Sequence, residues 1–494
     1  MVLFAATPSS FKTTAVALAA LLLAGCAVGP DYVRPSMDLP VAYKETGPWK
    51  TATPQVIDAS HPWWEAYGDV TLSALVVQAN AANQNIRVAE AQYREAQAIA
   101  AAAHAGFFPT VGVNAGGTRA QTNSTGALKL GTTDTLGLAA SWEPDLWGAV
   151  RRSVEAGNAD AQASADDLAG ARLSIQTTLA QDYLQIRVID LQRDLYASTT
   201  AAYARALELT QHQYAAGTVL RSDVALAQSQ LKSAEAQAVD LEAQRSQLEH
   251  AVAVLTGQAP ASFTLEPFAL AVPMTPASLP LSDAVRMQLP VTPAGLPSEL
   301  LERRPDIAAA ERRVQSANAN IGVAKAAYYP QIVLSASGGF SAGNLASLFN
   351  TPSRVWSLGA ALAQTVFDGG LRKAHTDQAV AVYDASVAQY KQTVLGGFQQ
   401  VEDNLATLRV LDRESALQAE AVQASQLAER LALSQYRAGT ATYLSVVTAQ
   451  QLSLTNQRTA AQVLGRQLAA SVSLIAATGG GWTADAAAAT TSGN

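Results

Sequence analysis

The sequence holds little with which to do covalent chemistry. It has one cysteine, Cys26, so a cysteine-based zinc cluster is excluded. Its five histidines, His61, His104, His212, His250 and His375, form no HExxH pair, and none lies beside the cysteine. No GxxxxGK[ST] loop occurs, so nucleotide hydrolysis is not expected and any energy must come from a partner. Aromatic residues make up only 6% and charged residues only 15% of the 494 positions. The net charge of −7 and the lack of a basic patch interleaved with aromatics argue against a nucleic-acid partner. Alanine is abundant instead, which favours helices that pack close together rather than around a bulky core.

The first 26 residues read as an address and an anchor. Lys12 is their only charge, and a small or apolar run from Ala15 to Gly25 follows it. That run is too short to span a bilayer but suits a signal peptide. It ends in Leu23-Ala24-Gly25-Cys26, which resembles a bacterial lipobox, so Cys26 is expected to carry diacylglycerol and an N-acyl chain. Ala27 rather than Asp follows, so an inner-membrane retention cue is absent. No other cofactor is expected.

An internal repeat organises the rest. Ala105-Gly106-Phe107-Phe108-Pro109 matches Ala326-Ala327-Tyr328-Tyr329-Pro330, and Leu146-Trp147-Gly148-Ala149-Val150-Arg151 echoes Phe367-Asp368-Gly369-Gly370-Leu371-Arg372. Gln213-Tyr214-Ala215-Ala216-Gly217-Thr218 echoes Gln435-Tyr436-Arg437-Ala438-Gly439-Thr440. Each half predicts a helix stopped by an aromatic-aromatic-Pro string, a β-hairpin, a very long helix, a turn at glycine and a returning helix. The strands are expected near 108–118 and 133–143, then 331–340 and 355–364. The long helices are expected from 149 to 214 and from 371 to 436, with returns near 221–255 and 443–476. Tyr383, Val387, Tyr390, Val394, Phe398, Val401, Leu405 and Leu408 recur in near-heptad steps, a seam for coiled-coil packing.

The expected organisation is a signal peptide at 1–25, an acylated extended segment at 26–68, and a first repeat at 69–257. A Pro-rich linker follows at 258–298, then a second repeat at 299–477 and a disordered tail at 478–494. Four strands cannot close a transmembrane barrel, which needs at least about eight. Strands left open in lipid would carry unpaired backbone groups. If they enter a membrane, the chain must oligomerise. The alternative is a non-conducting structural coiled-coil lipoprotein.

Several strings resemble the outer-membrane factor (TolC/OprM-like) family of tripartite efflux pumps, and most closely its NodT-type lipoprotein branch. These are Cys26-Ala27-Val28-Gly29-Pro30-Asp31-Tyr32, Trp63-Trp64-Glu65-Ala66-Tyr67-Gly68-Asp69, and the most specific, Leu296-Pro297-Ser298-Glu299-Leu300-Leu301-Glu302-Arg303-Arg304-Pro305-Asp306-Ile307. The resemblance implies a mainly α fold with a membrane β-barrel portion. Three chains would form a twelve-stranded barrel continued by a coiled-coil α-barrel. It also implies a homotrimer in the outer membrane, a periplasmic adaptor, a proton-driven inner-membrane pump and export of drugs or toxic small molecules. Type I protein secretion or metabolite export stays open. The periplasmic gate would lie at the turns of Gly217 and Gly439. Leu444 matches the family's apolar constriction, while Ser445 and Thr448 stand where relatives often carry acids. Asp223 matches an aspartate that can hydrogen-bond to the tyrosine matching Tyr436, or it caps the returning helix. Ala441 replaces a TolC-like arginine.

Overall fold

The computed structural model describes residues 27–37, 43–45, 62–124, 127–267 and 303–482. Cys26, the signal segment, most of the linker and the start of the Leu296 string lie outside the described residues. The described chain is mainly helical, with one four-stranded sheet. In order it runs α1 (Val70–Ala82), α2 (Gln84–Ala105), β1 (Thr110–Ser124), β2 (Ala127–Trp142), α3 (Ala149–Ala215) and α4 (Arg221–Leu255). The second half continues with α5 (Pro305–Ala326), β3 (Gln331–Ala342), β4 (Arg354–Ala363), α6 (Leu371–Arg437) and α7 (Tyr443–Ala477).

The duplication is plain in the helix lengths. The elements α2 and α5 have 22 residues each, α3 and α6 have 67, and α4 and α7 have 35. A 67-residue helix is about 100 Å long at roughly 1.5 Å per residue. Tyr390, Val394, Val401 and Leu405 of the expected α6 seam are buried, and Tyr383, Val387, Phe398 and Leu408 are half-buried.

The hairpins depart from expectation. The polar stretch 119–132 is not a loop: β1 and β2 pair without a break from Thr110↔Ser141 to Ser124↔Ala127, leaving only two residues between the strands. Threonine, glycine, asparagine and serine read as loop formers, yet here their backbones pair throughout, so polarity alone does not mark a loop. The repeat alignment also shifts at the helix starts. Asp145 Oδ1 and Oδ2 accept from Val150 N and Arg151 N at 3.0 and 2.9 Å. Asp368 does the same for Gly370 N at 2.9 Å and Arg372 N at 3.3 Å. The structural counterpart of Asp368 is therefore Asp145, not Trp147. Each aspartate also holds the arginine of its own helix start, Arg151 or Arg372.

Two compact units divide the chain, and both halves contribute to each. The first comprises Met1–Ser36, Gln92–Ser164 and Ala309–Lys391; the second comprises Met37–Ala91, Ala165–Ala308 and Gln392–Asn494. The first unit holds the sheet, in strand order β1-β2-β3-β4, all antiparallel. At its base Trp147 stacks on Tyr329 with centroids 4.9 Å apart, and its indole N–H donates to Pro330 O at 2.7 Å. Both partners are adjacent to, or part of, the Pro-ended string that stops α5.

The second unit has a core of Tyr67, Leu72, Val76, Leu179, Tyr183, Leu468 and Val472. The Trp63 string plugs into it as a short 3-10 turn, Trp63–Tyr67. Trp63 donates to Gln176 Oε1 at 3.3 Å, and Tyr67 shares a hydrogen bond with Ser471 at 3.0 Å. Asp69 then caps α1 through Leu72 N at 2.9 Å and accepts from the Tyr183 hydroxyl at 2.6 Å. Arg304 forks onto Asp306 and donates to Ala477 O at 2.9 Å, closing the end of α7. Asn83 does the matching work in the first half, donating to Leu255 O at 2.8 Å. These motifs are structural. Thr478 to Trp482, expected in the disordered tail, instead form a turn that ends α7, with Gly480 N donating to Ile475 O at 2.9 Å.

Candidate functional site

The register of the sheet assigns every strand position to one of two faces. One face carries Val111, Val113 and Ala115 of β1, and Leu136, Leu138, Ala140 and Trp142 of β2. It continues with Ile332, Leu334, Ala336 and Phe340 of β3, and with Trp356, Leu358, Ala360 and Leu362 of β4. The other carries Thr110, Gly112, Asn114, Gly116, Thr133, Thr135, Ser141, Ser335, Ser337, Ser357 and Gly359. The weak alternation in β3 thus resolves in its neighbours. Leu138 and Trp356 remain 55% and 77% exposed, so nothing in the single chain covers the apolar face. From Ile332 to Phe340 the strand rises about 27 Å at roughly 3.4 Å per residue. A tilt of about 40° reduces that to roughly 20 Å, close to the apolar band of about 25 Å on outer-membrane barrels. Polar-in, apolar-out alternation with β1 and β4 as unpaired edges is the pattern of an arc cut from a barrel wall.

Below this sheet, still within the first unit, residues 27–34 form a strap. Val28 N donates to Trp147 O at 3.0 Å, and Asn318 donates to Pro30 O at 3.0 Å. Asp31 pairs with buried Arg152 at 2.7 Å, while Tyr32 and Arg34 both reach Glu311. Burial and the Glu311 charge push the Tyr32 hydroxyl well above the usual phenol range. Gly29 and Gly322 make the fit possible: a Cβ on Gly29 would lie 2.5 Å from Gly322 Cα, so the backbones touch.

The two helix turns belong to the second unit and are built alike. Gly217 and Gly439 have φ of 73° and 74°, the left-handed conformation that ends helices at little cost only in glycine. Thr218 N and Thr440 N donate back to Gln213 O and Gln435 O at 3.0 and 2.9 Å. The hydroxyls of the same threonines reach the same carbonyls at 2.9 and 3.0 Å. The Gln-Tyr-x-Ala-Gly-Thr string is therefore a Schellman-type stop with a threonine lock.

The expected gate residues divide between core and surface. Leu444, Ser445 and Thr448 share the exposed side of the first turns of α7, with Leu444 59% exposed. Tyr443, Val446 and Val447 point into a core with Ala227 and Tyr436. The Thr448 hydroxyl donates to Leu444 O at 2.9 Å, and Ser445 Oγ lies 3.2 Å from Thr442 Oγ1. The sequence of α7 contains no Asp or Glu in its 35 residues, so no acidic ring can arise from this helix.

Asp223 and Tyr436 do not bond to each other. Asp223 Oδ2 accepts from Leu220 N at 3.3 Å, the reciprocal arm of a capping box whose leucine N-cap has no polar side chain. The Tyr436 hydroxyl donates to Gln213 Oε1, a glutamine the sequence reading did not single out as a partner. Its ring tilts on Tyr443 with centroids 5.3 Å apart. Burial raises the Tyr436 hydroxyl and pushes that of Tyr443 up to about 12, with Asp223 adding to both and Thr210 opposing.

Among the described residues no group of His, Cys, Asp and Glu could hold a metal ion. Among the described residues one helix, Tyr443–Ala477, is long and apolar enough to cross a membrane, but 72% of its apolar window is buried, as in a core helix.

The sequence model of the family described as outer membrane efflux protein matches residues 75–258 and 296–480, once over each half. The pyoverdine export outer membrane protein OpmQ of Pseudomonas aeruginosa is 31% identical over 488 residues, covering 96% of this chain and 98% of the relative. The toluene efflux pump outer membrane protein TtgF of Pseudomonas putida is 29% identical over 470 residues, covering 93% and 95%. Among solved structures, the outer-membrane channel OprN aligns with a TM-score of 0.83 at 29% identity, over 92% of this chain and 100% of that one. The open state of the Neisseria gonorrhoeae MtrE outer membrane channel aligns with a TM-score of 0.80 at 28% identity, over 92% and 98%. With its duplicated helices, two-faced sheet and full-length matches, the chain belongs to the outer membrane efflux protein family.

Proposed function

We propose that the protein is the lipid-anchored, homotrimeric outer-membrane duct of a tripartite efflux system that exports toxic small molecules. The observation that carries the reading is the sheet: one apolar face, one polar face and two open edges. Three such sheets supply twelve strands, and closure removes the unpaired edge groups that lipid does not tolerate. The acyl chains belong on Cys26, outside the described residues. Val28, two residues on, bonds to Trp147 at the base of the sheet, which suits lipid chains entering the membrane at the lower edge of the apolar band. The partners are a periplasmic adaptor docking at the turns of Gly217 and Gly439 and a proton-driven inner-membrane pump. The gate is apolar, built on Leu444, with Ser445 and Thr448 lining it instead of acids.

The relatives' names favour efflux but include one for pyoverdine export, so metabolite export is the second reading. Deleting the gene and profiling sensitivity to drugs, dyes, solvents and metals tests the first. Increased sensitivity restored by the wild-type gene supports toxic-compound efflux. Unchanged sensitivity, with a secreted metabolite retained in the cell, refutes it in favour of metabolite export.

A further inference from the structure

The apolar face of the sheet is interrupted by charge at one end only. Arg354 begins β4 and pairs with Phe340, the last bulky apolar residue of β3 on this face. Arg119 lies further out on the first hairpin, opposite Thr132. Both share the face of Leu136, Leu138 and Trp356, and both are exposed. This end is remote from the helices, which leave the sheet at Pro109, Trp142, Pro330 and Ala363, so in an outer-membrane barrel it faces outward. Phe340 meets Phe349 edge-on at 5.4 Å, and exposed Trp356 sits two residues below Arg354 on the same face, as an aromatic girdle at that interface would.

Four arginines of this unit, Arg34, Arg151, Arg152 and Arg372, are ion-paired, whereas Arg119 and Arg354 on this face have no ion pair among the described residues. A cation on the lipid side is costly at mid-membrane and close to neutral near the interface. Both therefore belong at the headgroup level, where their forked donors meet phosphate oxygens in bidentate geometry. Asp134 shares this face, opposite Gly117, and is not ion-paired to either arginine. Its negative charge lies closer in register to Arg119, so Arg354 is the stronger anion partner.

We propose that this outward rim binds the phosphate groups of the phosphorylated glycolipid of the outer leaflet through Arg354 and, more weakly, Arg119. The inference rests on the apolar face being the lipid face. Its test uses the purified acylated trimer in detergent and follows the melting temperature with bisphosphorylated lipid A, dephosphorylated lipid A or inorganic phosphate. The wild type should melt several degrees higher with the phosphorylated lipid than with either control. The Arg119→Gln/Arg354→Gln variant should lose at least half of that difference, Arg354→Gln alone more than Arg119→Gln alone, and Arg354→Lys should keep part of it. Both positions are exposed, so the variants should still run as trimers. Equal stabilisation of wild type and double variant, or equal stabilisation by both lipids, overturns the proposal while leaving the lipid face intact. No stabilisation by any lipid, together with a Leu138→Lys trimer that assembles normally, overturns the lipid face as well.

Discussion

Leu138 sits in the middle of the apolar face, paired with Val113 on one side and Gly338 on the other. Ser337, one residue from Gly338 in β3, lies on the opposite face, where its hydroxyl meets that of Ser357 at 2.8 Å. Lysine at 138 would place an ammonium near mid-membrane on the lipid side, at about 3 kcal/mol per chain, or roughly 9 kcal/mol for a trimer sharing one barrel. A loss of that size is comparable with the whole stability of an ordinary domain, about 5–15 kcal/mol. Lysine at 337 would face a water-filled lumen and give up only the exposed Ser337–Ser357 hydrogen bond, about 1 kcal/mol. The assay is the amount of heat-resistant trimer in isolated outer membranes, with periplasmic aggregate measured in parallel. Leu138→Lys should abolish the trimer, while Ser337→Lys should leave it near wild-type level and alter only conductance. Trimer lost in Ser337→Lys but kept in Leu138→Lys would mean that the faces are reversed.

Three further outcomes follow from the helix turns. Leu444→Ala should raise uptake of a large antibiotic with little loss of stability, because Leu444 is 59% exposed in the single chain; unchanged uptake in cells with normal trimer levels would remove Leu444 from the constriction. Micromolar trivalent cations should not block the pore strongly, since α7 supplies no carboxylate, and strong block would place an acidic ring elsewhere. Gly439→Ala should cost about 1 kcal/mol through its positive φ and speed hydrogen exchange at the second turn; protection equal to wild type would contradict the Schellman assignment.

The helices were legible because their ends are written in residues with narrow backbone options. Pro109 and Pro330 stop α2 and α5, and Gly217 and Gly439 stop α3 and α6, so the long helices end one residue from expectation. The first hairpin was less legible. Its polar face is Thr, Gly, Asn and Ser, residues that mark loops in soluble proteins, and only pairing with a neighbour reveals which face each occupies. Asp145 was missed as the partner of Asp368 because the two connections differ in length, although the capping chemistry is the same. At the tip, the family resemblance pointed to Ser445 and Thr448 as positions where relatives often carry acids, and the residues here are uncharged. The bond from Tyr436 to Gln213 was not legible, because the two are far apart in sequence and neither lies in a spacing pattern that predicts the contact.

Single-channel recording of the purified, acylated protein in a planar bilayer tests the duct most directly. The account predicts discrete openings from a trimer, brief in the wild type and longer or more frequent in Leu444→Ala. A folded trimer that inserts into the bilayer yet passes no current, in wild type and in Leu444→Ala alike, would contradict it and favour a structural lipoprotein.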